Sequence, residues 1–270
     1  MPRPRLLLLA TACLLFLSTV AFARAFEVRL LKGTEKDGIW GTDEYQVAVS
    51  WLGSMRNVTV GGKKLLYQAA ALYTGPVPPG AQQGLRTVQG EGFGERGLTV
   101  QPPEMGCHDD HGRRVFTFRH LVANKKVLEG RPLCRVDQQI VLAPAGEISV
   151  RYDCQWLETI RWDGFSLLLF FEKEAIQGRD FLLVIDDRLV TGQLAAGQPI
   201  AERRIRESFT RLTVWSEVGP LHLVWDAPAN CELSPPQLSI QPAAVPYRAV
   251  IYKGTKDTIQ YRILLPVSQQ

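Results

Sequence analysis

Apolar and polar residues alternate at every second position through much of the chain. The clearest stretch is ISVRYDCQW, residues 148–156. Ile148, Val150, Tyr152, Cys154 and Trp156 share one parity, and Ser149, Arg151, Asp153 and Gln155 share the other. A strand sends successive side chains to opposite sides, so this pattern predicts a strand with one buried face. APAG (143–146) reads as a turn, and VDQQIVLA before it completes a hairpin. FSLLLFFEK is a more continuous apolar run, as expected of a strand covered on both sides. FLLVIDDRLVTGQL reads as strand, Asp-Asp turn and strand. EYQVAVSW, RVFTFRHLV, FTRLTVW, PLHLVWDA, YRAVIYKG and TIQYRILLP continue the alternation. No long segment has helical periodicity. The expected architecture is all-β, a large antiparallel β-sandwich of about 15 strands with little helix. That is too many strands for one immunoglobulin-like unit of about 7–9.

The first 25 residues fit a different role. Met1 to Arg5 is basic, Leu6 to Phe22 is apolar, and Ala23-Arg24-Ala25 places small residues where a signal peptidase reads them. Residues 1–25 are therefore expected to be a signal peptide cleaved near Ala25, leaving 26–270 as a single β-sandwich domain that is secreted, periplasmic or extracellular. Loss of Arg3, Arg5 and Arg24, with no acid among them, takes the formal charge from +4 to +1. Nothing in that balance calls for nucleic acid. No segment after residue 25 is apolar over the length a bilayer requires. Cys107, Cys134, Cys154 and Cys231 remain, an even number in an oxidising compartment, and are the disulfide candidates. Three pairings are open, and the absence of C-x-x-C spacing argues against a zinc cage.

WLGSMRNVTVGGKKLLYQAAALY (51–73) reads as two strands around a tight Gly-Gly turn. It resembles the early hairpin of the galactose mutarotase-like supersandwich fold, where a strand passes a glycine and a second turn leads into G-x-x-L-L. The run PLCRVDQQIVLAPAGEISVRYDC…GFSLLLFFEK is similar to the middle of such domains. The resemblance covers 45–72 and 134–185. It implies a supersandwich that presents a broad sheet to carbohydrate, in a fold that includes sugar epimerases and domains of glycoside hydrolases and polysaccharide lyases. Mutarotases use a His acid and a Glu base. Their usual Asn-His context is absent from this sequence.

Residues of chemical interest are scattered. GCHDDHGRR (106–114) gathers Cys107, His108, Asp109, Asp110 and His111. On a strand the two His and two Asp divide between opposite faces, and Gly112 beside the Asp pair favours a solvated turn over a metal site. No metal and no cofactor are expected. His120 shares parity with Phe116 and Phe118, so an inward face for the phenylalanines is an inward face for the histidine; there it would contact sugar hydroxyls or act as an acid. Trp162, beside Arg161 and Asp163, and Trp40, in the Gly-flanked stretch DGIWGTDEY read as a polar loop, are the candidate sugar-stacking rings. Trp156 and Trp225 fall on apolar faces and read as core. Glu158, Asp163, Glu172, Glu174, Glu217 and Asp226 have the right type for glycoside hydrolysis, but no spacing selects a pair. No nucleophile elbow, P-loop or dinucleotide fingerprint occurs. Asn57-Val58-Thr59 is a glycosylation sequon, and 74–97 is a Gly- and Pro-rich loop.

These observations favour an exported β-sandwich that binds carbohydrate or assists its processing without an obvious catalytic motif. Carbohydrate is the partner it suggests. The alternatives are a structural or interaction protein of the envelope or extracellular space, and a carbohydrate-active enzyme, either an epimerase or a glycoside hydrolase.

Overall fold

The computed structural model describes residues 27–74, 86–88, 104–123, 132–161, 164–185, 188–194, 208–234, 237–242 and 250–267. Strands β1 (Arg29–Gly33), β2 (Gly38–Gly41), β3 (Tyr45–Val49), β4 (Met55–Val60) and β5 (Lys63–Thr74) form an antiparallel meander, each paired with the next. The short β6 (Arg86–Val88) pairs with the end of β5. A second meander follows in β7 (Glu104–Asp110), β8 (Arg113–Ala123), β9 (Pro132–Leu142) and β10 (Glu147–Trp156). After the two-residue β11 (Ile160–Arg161), β12 (Gly164–Phe171) returns to pair with β5. Helix α1 (Lys173–Ile176) is one turn long. The chain then forms β13 (Asp180–Ile185), β14 (Arg188–Gln193), β15 (Ser208–Ser216), β16 (Gly219–Ser234), β17 (Gln237–Pro242), β18 (Val250–Ile251) and β19 (Lys256–Leu264). Residues 1–25, read from the sequence as a signal peptide, and most of the Gly- and Pro-rich segment 74–97 lie outside the described residues.

Hydrogen bonding arranges the longer strands into two antiparallel sheets, while β11 and β18 pair separately with each other. One runs β7–β8–β9–β10–β19–β16–β15–β13–β14. The other runs β1–β2–β3–β4–β5–β12–β17–β16. Strand β16 belongs to both. Its first half pairs with β19 over His222–Trp225, and its second half pairs with β17 over Ala229–Ser234. Pro228 sits between the two paired segments, where its missing N–H costs no ladder bond with either strand. The all-β sandwich expected from the alternation is the fold observed. The described strands number close to the expected count once the three shortest, β6, β11 and β18, are set aside.

The inner faces meet in one contiguous hydrophobic cluster that draws on both sheets. In β10 the expected alternation holds at every position: Ile148, Val150, Tyr152, Cys154 and Trp156 are buried, and the residues between them are not. Trp225 packs at 4.9 Å from Tyr261 and 6.1 Å from Phe209, ring to ring, near the place where β16 changes sheets. Two buried polar links join the layers. Tyr45 Oη donates to the Ala143 carbonyl at 2.7 Å, and Gln138 Nε2 donates to the Gly53 carbonyl at 2.8 Å and to Tyr152 Oη at 3.0 Å. Each supplies a hydrogen-bond partner where water is excluded.

Candidate functional site

A sandwich leaves one face of each sheet to solvent, and the β7–β14 sheet carries its chemistry there. Register places the outward side chains in rows. One row runs Glu104, Arg119, Asp137, Asp153 and Thr258 across β7, β8, β9, β10 and β19. The next runs Thr117, Gln139, Arg151 and Gln260. A third carries Ser149, Arg262, Val224 and Arg211 towards β15.

Asp137 and Asp153 stand directly opposite each other, an unfavourable placement for like charges unless cations intervene. Cations do intervene. Arg119 Nε donates to Asp137 Oδ1 at 2.8 Å, and its guanidinium also reaches Glu104 at 3.6 Å. Arg151 grips Asp153 through two bonds, Nε to Oδ2 at 2.8 Å and Nη2 to Oδ1 at 2.9 Å. Thr258 Oγ1 donates to the same carboxylate at 2.6 Å. The Arg151 bond, and secondarily that from Thr258, holds the Asp153 carboxyl below its ordinary range. Arg135 donates to Gln155 and lies 4.0 Å from Asp137, and Arg262 lies 3.8 Å from Asp226. Towards β15, His222 Nδ1 is 2.8 Å from Thr213 Oγ1. Partial burial, reinforced by the charge of Arg211, lowers the pKa of His222. Trp215, beside Pro220, is 42% exposed.

This surface offers fixed arrays of donors and acceptors: ion-paired carboxylates, planar guanidinium groups, and the amides of Gln139, Gln155 and Gln260. Such groups match the paired hydroxyls of a sugar ring. Its carboxylates face arginines nearly one for one, so little net field remains to attract a strongly charged ligand. The bond from Arg151 lowers the Asp153 pKa, which suits that carboxylate to accept hydrogen bonds rather than to serve as a general acid.

The side chains singled out by sequence lie elsewhere. His120 does share the inward face of Phe116 and Phe118, but that face is the core. It is 7% exposed, in register with Val136, and burial lowers its pKa to about 4 against a weaker opposing effect of Asp137. Trp40 is 2% exposed and lies on β2, not in a loop. Its ring meets Phe116 edge-on at 5.2 Å, and the Arg114 guanidinium lies 4.9 Å above it. The flanking glycines serve packing: a Cβ on Gly38 would fall 2.8 Å from Trp40 Nε1, and one on Gly41 would fall 2.0 Å from the Tyr45 carbonyl oxygen. Trp162 and Asp163 lie outside the described residues. Glu172 and Glu217 engage Lys64 at 3.3 Å and Lys63 at 3.5 Å.

In the His-Asp stretch, β7 continues through Asp110, and the turn is His111-Gly112, with φ of 54° and 80°. His111 projects into solvent with its side chain 95% exposed, and Asp110 pairs with Arg113. Among the described residues no group of three or more His, Cys, Asp or Glu is placed to hold a metal ion. Cys107, Cys134 and Cys154 are present as thiols, and Cys231 lies on β16. No helix among the described residues is long and apolar enough to cross a membrane.

Of the outward-facing groups, Asp226 and His222 are open to notice from the sequence by their residue types. For Ser149, Arg151, Asp153 and Gln155 the signal is present in the second parity of ISVRYDCQW. What the sequence lacks is the register that sets Asp153 against Asp137 and Thr258.

No protein-family model matches the sequence, and no curated protein matches it. Solved structures do. Galactose 1-epimerase from Lactobacillus acidophilus superposes with a TM-score of 0.53 at 7% identity, covering 88% of this chain and 97% of that one. An aldose epimerase homologue from C. elegans gives 0.47 at 11% identity, covering 87% and 98%. Heparan sulfate lyase HepC from Pedobacter heparinus gives 0.48 at 7% identity, covering 91% of this chain and 37% of the lyase.

Proposed function

We propose that this chain, a galactose mutarotase-like supersandwich, binds neutral carbohydrate on the outward face of β8, β9, β10, β19 and β16 and does so without catalysing a reaction. The observation that carries the reading is the Asp137–Asp153 pair fixed between Arg119, Arg151 and Thr258. Bidentate, charge-assisted groups of this kind are the strong partners for vicinal hydroxyls, and Trp215 offers a ring at the border of the face for stacking. The absence of catalysis is part of the same reading, supported by the ion pairs of Asp137 and Asp153 and by the burial of His120. Export through the leader at 1–25 is part of the same reading, since an extracellular or periplasmic site would meet polysaccharide.

A panel of neutral oligosaccharides, screened by array and then by titration calorimetry, tests this. Binding by at least one member is expected, with Arg151→Ala and Asp137→Ala each weakening it tenfold or more, about 1.4 kcal/mol. Both side chains are half-exposed on the outer face, and circular dichroism of each variant checks that the fold is kept. No binding at millimolar sugar, or binding indifferent to both changes, overturns the proposal and favours a scaffold role.

A further inference from the structure

We infer that Cys134 and Cys154, both thiols in this structure, are placed to be oxidised to a disulfide that ties β9 to β10 from the core side. The strands are neighbours, with Cys134 opposite Trp156 and Cys154 opposite Val136. Residues two apart share a face, so both cysteines point inward as diagonal neighbours. They are 1% and 4% exposed, and the Cys134 thiol donates to the Arg135 carbonyl at 3.3 Å. Backbone register sets Cys107 against Phe116 and Cys231 against Ile240. A diagonal pair on ideal strands sits about 7–8 Å apart, slightly beyond the usual span of a disulfide. The start of β9 has room to adjust, because its ladder with β8 shifts register between Val122 and Ala123.

The oxidant is a disulfide, either a small thiol's or a protein oxidase's. One cysteine thiolate attacks an oxidant sulfur and releases the first thiolate, leaving a mixed disulfide. The second cysteine thiolate attacks the protein-bound sulfur and expels the other half. Two protein thiols give up two protons and two electrons, and the oxidant's sulfur–sulfur bond receives the electrons. The neighbouring Cys134 thiol, and then burial, push the Cys154 thiol well above its ordinary range. The reactive thiolate is therefore scarce in the closed sandwich, and oxidation belongs to the stage when β9 and β10 are still assembling.

The full chain is refolded in a glutathione redox buffer, alkylated after denaturation, digested and examined by mass spectrometry. A peptide linking Cys134 to Cys154, lighter by two hydrogens than the reduced pair, is expected. Reductant should lower the Tm of the oxidised protein by about 5–10 °C, and Cys134→Ser/Cys154→Ser should lose that response. Quantitative alkylation of both residues, or linkage of either to Cys107 or Cys231, overturns the assignment. The peptide map of the unmutated chain decides the question even if the double variant does not fold.

Discussion

His120 lies inward on β8 with 7% exposure, beside Val136 across the ladder, and is neutral at pH 7 because burial lowers its pKa to about 4. An unfolded histidine titrates near 6.5. Between those values the unfolded chain holds a proton that the folded chain lacks, so stability falls as pH drops from about 6.5 towards 4. At pH 5 the expected loss relative to pH 7 is about 2 kcal/mol from this residue. Urea unfolding at the two pH values should show that difference, and His120→Leu should remove it. An unchanged pH dependence in the variant would contradict the buried neutral state. The parity that placed His120 with Phe116 and Phe118 was legible in the sequence. Its meaning was not: alternation separates two faces but does not say that a polar member of the apolar face is sealed from ligand. Trp40 shows the same limit. Glycines on either side suggest a loop, whereas the structure uses them to let Leu30 and the Tyr45 carbonyl approach the strand.

The β7–β8 hairpin turns on two residues, and both have positive φ, the pattern of a type I′ turn. Asparagine tolerates that conformation better than histidine, and glycine alone adopts it without a Cβ penalty. His111→Asn should therefore raise stability by about 0.5 kcal/mol, and Gly112→Val should lower it by about 1–2 kcal/mol. Paired denaturation curves measure both; opposite signs would mean that the turn is not under this constraint. The Gly112 carbonyl also accepts from Val28 N–H at 2.9 Å, so distortion here reaches the chain leading into β1. That HDDHG contains a turn was readable from its composition. Where the strand ends was not, since Asp109 and Asp110 suit a turn as well as an edge strand. Element pairing was harder still. Gln138 interrupts an apolar parity, and its partner is the Gly53 carbonyl, 85 residues away in the turn between β3 and β4. A single sequence carries no mark of such a contact, yet it is one of the bonds joining the two layers.

At the scale of the whole molecule, the question is whether the two sheets are separable. The first meander, β1–β5, and the second, β7–β10, look like independent units in chain order, with the Gly- and Pro-rich segment between them. Three features oppose that. Strand β12 returns from the second half of the chain to pair with β5. Strand β16 contributes to both sheets. The buried cluster runs through both inner faces, so neither sheet covers its apolar side alone. Residues 26–270 are therefore expected to unfold in one transition, with tryptophan fluorescence and far-ultraviolet circular dichroism coinciding. Trp225 is the sharpest probe, because it packs on Phe209 and Tyr261 near the point where β16 changes sheets. Trp225→Ala should cost about 3–5 kcal/mol and move the whole transition down by about 6–20 °C. If the sheets were independent, the substitution would instead split the curve, leaving the signal of β1–β5 at its original temperature. A split would place a boundary near residue 80 and would leave the polar face of β8–β10 to be held by half a sandwich.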